Sequence, residues 1–199
     1  MPSTAYARCV ATLVLLNGPP ASGKSTIAAR LVERRPLALN LDIDVVRGQL
    51  GCWLDDTTAA GVAARTLALA MARVHLDAGF DVVVPQFLAR PGLADELASV
   101  AAECSARFVS IALIVDRETA RSSFAQRSAA PADRTHRDAA EMVDRSSNPD
   151  PVGEMFDLFC SYLDTLLGVH RIESVLDDID GTVLEVEQFL ATPPEPDRR

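Results

Sequence analysis

The segment from Gly18 to Ser25 contains the residues with the clearest chemistry in this chain. Its sequence, GPPASGKS, fits the spacing G-x-x-x-x-G-K-S/T that builds a phosphate-binding loop. The glycines let the backbone curl so that successive N–H groups point at phosphate oxygens. Lys24 can then reach the β- and γ-phosphates, and the Ser25 hydroxyl can ligate Mg²⁺. The segment therefore predicts a site for ATP and magnesium.

The segments around this loop have the order that phosphate binding requires. Residues 10–16 form a short apolar run, which is typical of a buried parallel strand. Residues 26–34 carry Ile27 and Leu31 at helical spacing, and Pro36 ends this predicted helix. A helix that begins at the loop directs the positive end of its dipole at the same anion. The predicted nucleotide contacts are Gly18, Ala21, Ser22, Gly23, Lys24, Ser25 and Thr26.

Two carboxylates form the next candidate site. Residues 37–44 alternate strictly between apolar and polar side chains, which predicts a strand with Asp42 and Asp44 on one face near its end. Open α/β sheets bind ligands at this edge. One carboxylate can help to hold Mg²⁺, and the other can accept the proton of an attacking hydroxyl. We assign the metal to Ser25 and Asp42 and the base to Asp44, which lies further along the strand. The exchanged roles, or an aspartate that only caps the following helix, remain alternatives.

Three further residues are candidates for binding a substrate. Arg47 lies one helical turn beyond the carboxylates and can hold an anionic or polar group, or be an ordinary solvated arginine. Gln86 closely follows the predicted strand 81–84, where an amide can orient a substrate or only close a strand-end hydrogen bond. Trp53 is the only tryptophan and can stack on a planar substrate or pack in the core.

Residues 128–151 differ in composition from the rest of the chain, with many Ala, Asp, Arg, Ser and Pro residues and few large apolar ones. Such a segment packs weakly, so we predict a lid over approximately 128–148 with one short helix. Phosphoryl transfer spreads negative charge over oxygens that arginines from a closing lid can neutralise. We assign this role to Arg127 and Arg134, and nucleotide binding also to Arg127. The alternative is a solvated face of arginines paired with neighbouring acidic residues.

The remaining chain alternates between predicted helices and strands. Helices are predicted over 59–78, 92–104, 117–127, 152–167 and 182–190, and strands over 81–84, 108–115 and 170–176. This alternation is typical of an α/β fold with a parallel sheet. We predict one domain over residues 1–191 and a disordered, proline-rich tail over 192–199.

Composition narrows the class of protein. The net charge of −9 argues against a nucleic-acid partner. No apolar run approaches the ~20 residues of a membrane span, and no secretory signal is recognisable, so we expect a cytoplasmic protein without a membrane partner. The four cysteines are scattered and have no histidine partner at metal spacing, which argues against zinc.

These features resemble the small P-loop kinases that act on nucleosides and small molecules, particularly chloramphenicol phosphotransferase-like and shikimate kinase-like proteins. The resemblance rests on Gly18 to Ser25, on Asp42 and Asp44, and on the arginine-bearing residues 121–145. It implies a three-layer P-loop NTPase fold with a five-stranded parallel sheet, the phosphate-loop strand in its centre, and a small lid. In those families an aspartate after the second strand contacts or deprotonates the acceptor hydroxyl, and it maps to Asp44 or Asp42.

We therefore expect an ATP-dependent phosphotransferase whose partners are ATP and a small hydroxylated molecule, such as an antibiotic, a nucleoside or a sugar-like metabolite. A homodimer is compatible with this prediction. One alternative is a regulatory ATPase or GTPase switch or an AAA-type motor, although no acidic residue ends the third predicted strand. Another alternative is a nucleotide-binding protein that has lost catalysis.

The predicted lid can be tested by hydrogen exchange. Exchange over residues 128–148 should slow when a non-hydrolysable ATP analogue and an acceptor are added, because phosphate offers its arginines charge-assisted partners. The slowing should exceed that of the predicted helix 152–167, which serves as the internal control in the same mass-spectrometric experiment. Equal protection with and without ligands would make the segment a fixed element with arginines as surface charge.

Overall fold

A computed structural model describes residues 10–132, 134–166 and 169–192. The predicted tail therefore lies, apart from Thr192, outside the described residues. The described chain alternates strands and helices along most of its length. In chain order the elements are β1 (Thr12–Asn17), α1 (Lys24–Glu33), β2 (Leu39–Asn40), α2 (Ile43–Gly48), α3 (Thr57–Asp77), β3 (Val82–Pro85), α4 (Leu93–Glu103), β4 (Arg107–Ile114), α5 (Arg117–Ala129), α6 (Arg134–Asp144), α7 (Pro151–Leu163), β5 (His170–Glu173) and α8 (Ile179–Ala191).

The five strands form one sheet in the order β2-β3-β1-β4-β5. Every neighbouring pair is parallel, and β1 is central, with Leu15 opposite Val84 on one side and Ser110 on the other. This confirms the predicted α/β class with a five-stranded parallel sheet and the phosphate-loop strand in the middle. Because all strands run in the same direction, their carboxyl ends meet at one edge, where open α/β sheets bind ligands.

Apolar side chains cover both faces of the sheet, as a buried parallel sheet requires. On one face α3 and α4 pack against Leu13 and Leu15, and the buried alanines of α3 let that helix lie close to the strands. On the other face α1 and α8 pack against Val14 and Leu16. Each fully buried leucine or valine contributes about 1.5–3 kcal/mol. Three layers result. None of the helices in the described part of the chain has both the length and the apolar character that crossing a membrane requires.

The strand predicted over residues 37–44 is wrong for most of its length. Only Leu39–Asn40 pairs with β3, and α2 begins at Ile43. The reason is local hydrogen bonding: the side chain of Asp42 accepts from the backbone N–H groups of Asp44 and Val45 and thereby caps α2. The cap turns the chain out of the extended conformation, so alternation of apolar residues did not decide the structure here.

Asn17 joins the phosphate-loop strand to the segment that follows β3. This buried side chain accepts hydrogen bonds from the N–H groups of Gly18 and Leu88, each at 2.8 Å, and donates to the Leu88 carbonyl at 3.2 Å. Three bonds from one amide hold the start of the loop against the chain that carries Gln86 and Phe87. Asn17 therefore helps to position the two segments relative to each other.

Replacing this amide should destabilise the fold. Asn17→Ala leaves the buried N–H groups of Gly18 and Leu88 without acceptors, and we expect a loss of about 2–4 kcal/mol in the free energy of unfolding. Urea denaturation followed by circular dichroism measures the loss. The control is Asn40→Ala, because Asn40 is exposed; its effect should stay within about 0.5 kcal/mol. Equal effects of the two variants would contradict the joining role of Asn17.

Candidate active site

The phosphate loop has a backbone that only small residues permit. A Cβ on Gly18 would lie 2.5 Å from Ser22 Oγ and 3.0 Å from the Leu113 carbonyl oxygen, so this position has no room for a side chain. Gly23 has a φ of 81° and Ala21 a φ of 59°, both in the left-handed region. This curl turns the chain directly into α1. No side chain caps the N-terminus of α1 and its first turn has no acidic residue, so its N–H groups and dipole favour an anion.

Lys24 lies inside the curl of the loop. Its ammonium donates to the carbonyl oxygens of Gly18 at 3.0 Å and Pro19 at 2.7 Å, and to Ser22 Oγ at 3.4 Å. Burial lowers the pKa of Lys24 to about 7, and the positive charge of Arg127 acts in the same direction. The nearby aspartates oppose the shift without cancelling it. A phosphate group here would supply the negative charge that restores the protonated form.

Ser25 and Asp42 form a pair of oxygen donors beside the lysine. Ser25 Oγ donates to Asp42 Oδ2 at 3.4 Å, while Asp42 Oδ1 accepts the two cap bonds of α2. Burial raises the pKa of Asp42, and the negative charge of Asp44 raises it further. Mg²⁺ prefers such oxygens and completes its octahedron with phosphate and water. The pair therefore fits Mg²⁺. No group of three or more His, Cys, Asp or Glu suited to a metal occurs among the described residues.

Asp44 lies in the first turn of α2 and not at a strand end. Its Oδ1 forms an ion pair with Nη1 of Arg47 at 3.0 Å. The Arg47 guanidinium also lies over the ring of Trp53, 4.7 Å from its centre, and its Nε is buried without a hydrogen-bond partner. Asp44 is thus oriented by an arginine that is itself held by a ring.

Trp53 requires a correction. The expectation that it stacks on a substrate does not agree with its place, because only 4% of this residue is exposed, it lies outside the cavity lining, and the guanidinium of Arg47 covers its ring. The sequence alternative, core packing, describes it correctly. Trp53 does not line the cavity, but it supports Arg47, which does.

Gln86 lies at the carboxyl edge of the sheet directly after β3. Its backbone N–H donates to the Leu16 carbonyl at 3.0 Å, which fixes the residue beside the central strand. Its side-chain Oε1 is buried and has no hydrogen-bond partner. A buried acceptor without a partner is costly unless a ligand supplies a donor. This geometry supports the substrate-orienting alternative over a simple strand-end bond.

The candidate residues meet in one cavity of about 730 Å³. Eight of the predicted site residues line it, namely Ala21, Lys24, Ser25, Asp42, Asp44, Arg47, Gln86 and, near the end of α5, Arg127. A smaller recess of about 250 Å³ adjoins the other side of Lys24 and is lined by Ser22, Gly23, Thr26 and Arg127. The two spaces share Lys24 and Ser25 of the phosphate loop, and the larger one holds both carboxylates.

Arg134 lies outside both cavities. Its side chain is 63% exposed and its Nε lies 3.7 Å from Asp138 in its own helix α6. This is the surface pairing that the sequence offered as the alternative for the arginines. A contact between Arg134 and a transferring phosphate would need a movement of α6, and it stays a prediction.

Several lining residues were not expected from the sequence. α6 contributes Thr135, His136 and Met142, although no residue of α6 is buried in the core. Met71 comes from α3 and Met155 from α7. Their spacing shows only that each lies on a helix face, so the sequence alone could not predict that they line one cavity. Phe87 is the exception, because it follows Gln86 at the strand end.

The sheet order and the phosphate loop define a P-loop α/β fold. A family described as AAA domain matches residues 13–149. Because this match spans more than half of the chain, the protein belongs to that family. No match is found among curated protein sequences.

Solved structures with the same fold include several kinases. APS kinase of Mycobacterium tuberculosis in complex with AMPPNP and APS is 20% identical with a TM-score of 0.61, covering 92% of this chain and 99% of its own. Shikimate kinase of Acinetobacter baumannii in complex with shikimate is 17% identical with a TM-score of 0.59, covering 95% and 97%. The tunicamycin resistance protein of Deinococcus radiodurans is 14% identical with a TM-score of 0.59, covering 92% and 97%. At these identities the likeness concerns the fold.

The lowered pKa of Lys24 predicts proton uptake on nucleotide binding. At pH 8 most Lys24 side chains are neutral, since their pKa is about 7, and phosphate should reprotonate them. We expect uptake of about one proton per bound magnesium–AMPPNP. Calorimetry in two buffers of different ionisation enthalpy measures this number. Lys24→Arg is the matched control, because arginine is always protonated. Absent uptake in the unmodified protein, or equal uptake in Lys24→Arg, would contradict the prediction.

Proposed function

We propose that this protein transfers the γ-phosphoryl group of ATP to a hydroxyl group of a small molecule. The proposal rests on one observation: the phosphate-loop residues Lys24 and Ser25, the carboxylates Asp42 and Asp44, and Arg127 line the same cavity. That cavity extends past the carboxylates to Gln86, so a second molecule has room beside the phosphates. A pocket of this size suits one drug-sized ligand together with the phosphates.

The nucleotide would be held by the loop and by positive charge on both sides. The open N-terminus of α1 and Lys24 would hold the β- and γ-phosphates. Arg127 of α5 lines both spaces together with Lys24, and its charge lowers the pKa of that lysine, which supports one anion bound by both cations. Ser25 and Asp42 would hold Mg²⁺, whose positive charge neutralises developing negative charge on the phosphates.

Asp44 is the better candidate for the base. Both oxygens of Asp42 are occupied, since Oδ1 accepts two backbone N–H groups and Oδ2 accepts Ser25. Asp44 uses Oδ1 for Arg47, which leaves Oδ2 as an acceptor on the same carboxylate. The arginine fixes the direction of the carboxylate, and Trp53 fixes the arginine. A positioned carboxylate of this kind can take the proton of an acceptor hydroxyl during transfer.

The function can be tested by a transfer screen. The protein is incubated with magnesium–ATP and a panel of alcohols comprising antibiotics, nucleosides and sugar-like metabolites, and products are read by the mass increase of one phosphoryl group. The expected result is a phosphorylated alcohol formed in proportion to ADP. ADP release that no alcohol on the panel stimulates, with no phosphorylated product, would contradict the proposal and favour a nucleotide-hydrolysing switch.

The two aspartates should fail in different ways. Asp44→Asn cannot accept a proton, so turnover should fall by ~10²–10⁴-fold with nucleotide affinity unchanged. Asp42→Asn keeps an effective helix cap but loses the charge beside Ser25, so the magnesium concentration for half-maximal activity should rise. Asp55→Asn, an exposed position outside the cavity, is the control. Severe loss in Asp42→Asn with mild loss in Asp44→Asn would exchange the two roles.

A further inference from the structure

The lining of the larger cavity is rich in methionine. The chain has four methionines, of which Met1 lies outside the described residues. The other three, Met71, Met142 and Met155, all line this cavity, although they come from α3, α6 and α7. Phe87 and Phe124 also line the cavity, and the Phe124 ring lies under the Arg127 guanidinium, 5.2 Å from its centre. Methionine is unbranched and polarisable, and proteins use it where an apolar surface must adapt to its ligand.

Two of these methionines are unusually exposed for their type. Met71 is 43% and Met142 38% exposed, and Val45 beside them is 44% exposed. Single exposed apolar residues are ordinary, but apolar residues from separate helices that converge on one concave surface mark a binding site. In the described structure these apolar residues are exposed to the cavity, so a ligand that enters it would bury them.

The unpartnered polar groups of the cavity lining favour an uncharged partner. Gln86 Oε1 is a buried acceptor without a donor, and Arg47 Nε is a buried donor without an acceptor. The lysine and arginine side chains in the described lining are Lys24, Arg47 and Arg127. Lys24 and Arg127 lie at the phosphate loop, and Arg47 is paired with Asp44. No lysine or arginine of the described lining is therefore left to neutralise an anionic acceptor.

We propose that the acceptor is a neutral, amphipathic alcohol with a substantial apolar body. This inference rests on the function proposed above and specifies its substrate class. The apolar body packs on the three methionines and Phe87. An O–H or N–H group donates to Gln86, and a carbonyl-like oxygen accepts from Arg47.

The transfer step is balanced by groups already present. The acceptor oxygen forms a bond to the γ-phosphorus of ATP, and the bond from that phosphorus to the bridging β–γ oxygen breaks. The electron pair leaves with ADP, and the hydroxyl proton passes to Asp44. The apolar contacts take no part in this step, so they should decide which alcohol binds.

Binding of the apolar body can be measured without turnover. The probe is N-phenyl-1-naphthylamine, a neutral apolar fluorophore, added to the full chain saturated with magnesium–AMPPNP. We expect it to bind, and Met71→Gln and Met155→Gln each to weaken binding by about tenfold. Met71→Leu and Met155→Leu should stay within about threefold, because volume and apolarity are kept.

Matched controls separate the cavity from general surface hydrophobicity. Val74→Gln changes an exposed apolar residue of α3, and Leu158→Gln one of α7, and neither residue lines the cavity. Both controls should leave probe binding unchanged. Affinity for magnesium–AMPPNP should be unchanged in all variants. If the probe does not bind, or if the methionine and control variants behave alike, the inference is overturned.

A second measurement compares acceptors. Alcohols with the same reacting hydroxyl are given an apolar neutral body, a small polar body, or a phosphate or sulfate ester, and kcat/KM is measured by mass shift. The neutral apolar member should be at least about tenfold better, and Met71→Gln should remove that advantage. A preference for the ester would overturn the inference and leave phosphotransfer standing. Methionine-dependent probe binding without transfer to any alcohol would support the apolar site and contradict the proposed phosphotransfer.

Discussion

The parallel pairing of β1 between β3 and β4 is the constraint on which the rest of this molecule depends. Because all five strands run in one direction, the chain leaves β1 at the same edge at which it leaves β3. The loop after β1 must then turn sharply into α1 without a side chain on Gly18, and the segment after β3 must pass beside it. Asn17 bonds the two segments together. The anion-binding backbone of the loop and the cavity-lining Gln86 are adjacent as a result of strand direction.

Asp42 also serves more than one segment of the chain, which explains why it has several partners. Its Oδ1 ends the extended segment by capping α2, and its Oδ2 accepts from Ser25 of the phosphate loop. A residue that only capped a helix would not need burial, which raises its pKa and disfavours its charge. A cation beside it would reverse that cost. The helix that the cap begins carries Asp44 and Arg47 into the cavity, so the Asp42 side chain links the phosphate loop to both residues.

The sequence predicted the parts of the site that depend on local chemistry. Loop spacing located Lys24 and Ser25, and alternating strands and helices predicted the sheet that the structure confirms. The sequence-based prediction failed where a local hydrogen bond competed with the alternation of apolar residues, because the Asp42 cap ended the predicted strand early. It also could not foresee that Trp53 supports Arg47, or that methionines from three helices converge. Such contacts join residues far apart in the chain, and no spacing rule encodes them.

Helix α6 contributes both polar and apolar side chains to the cavity lining. None of its described residues is buried in the core. One face of the helix nevertheless lines the cavity, with residues at helical spacing: Thr135, His136, Ala139, Met142 and Val143. The polar start of this face lies toward the phosphate loop, where His136 also lines the smaller recess, and its apolar residues line the same cavity as the methionines of α3 and α7. An apolar acceptor would therefore bury the apolar residues of this face, as a core does for the other helices. Holding α6 in place and recognising the acceptor would then depend on the same contacts.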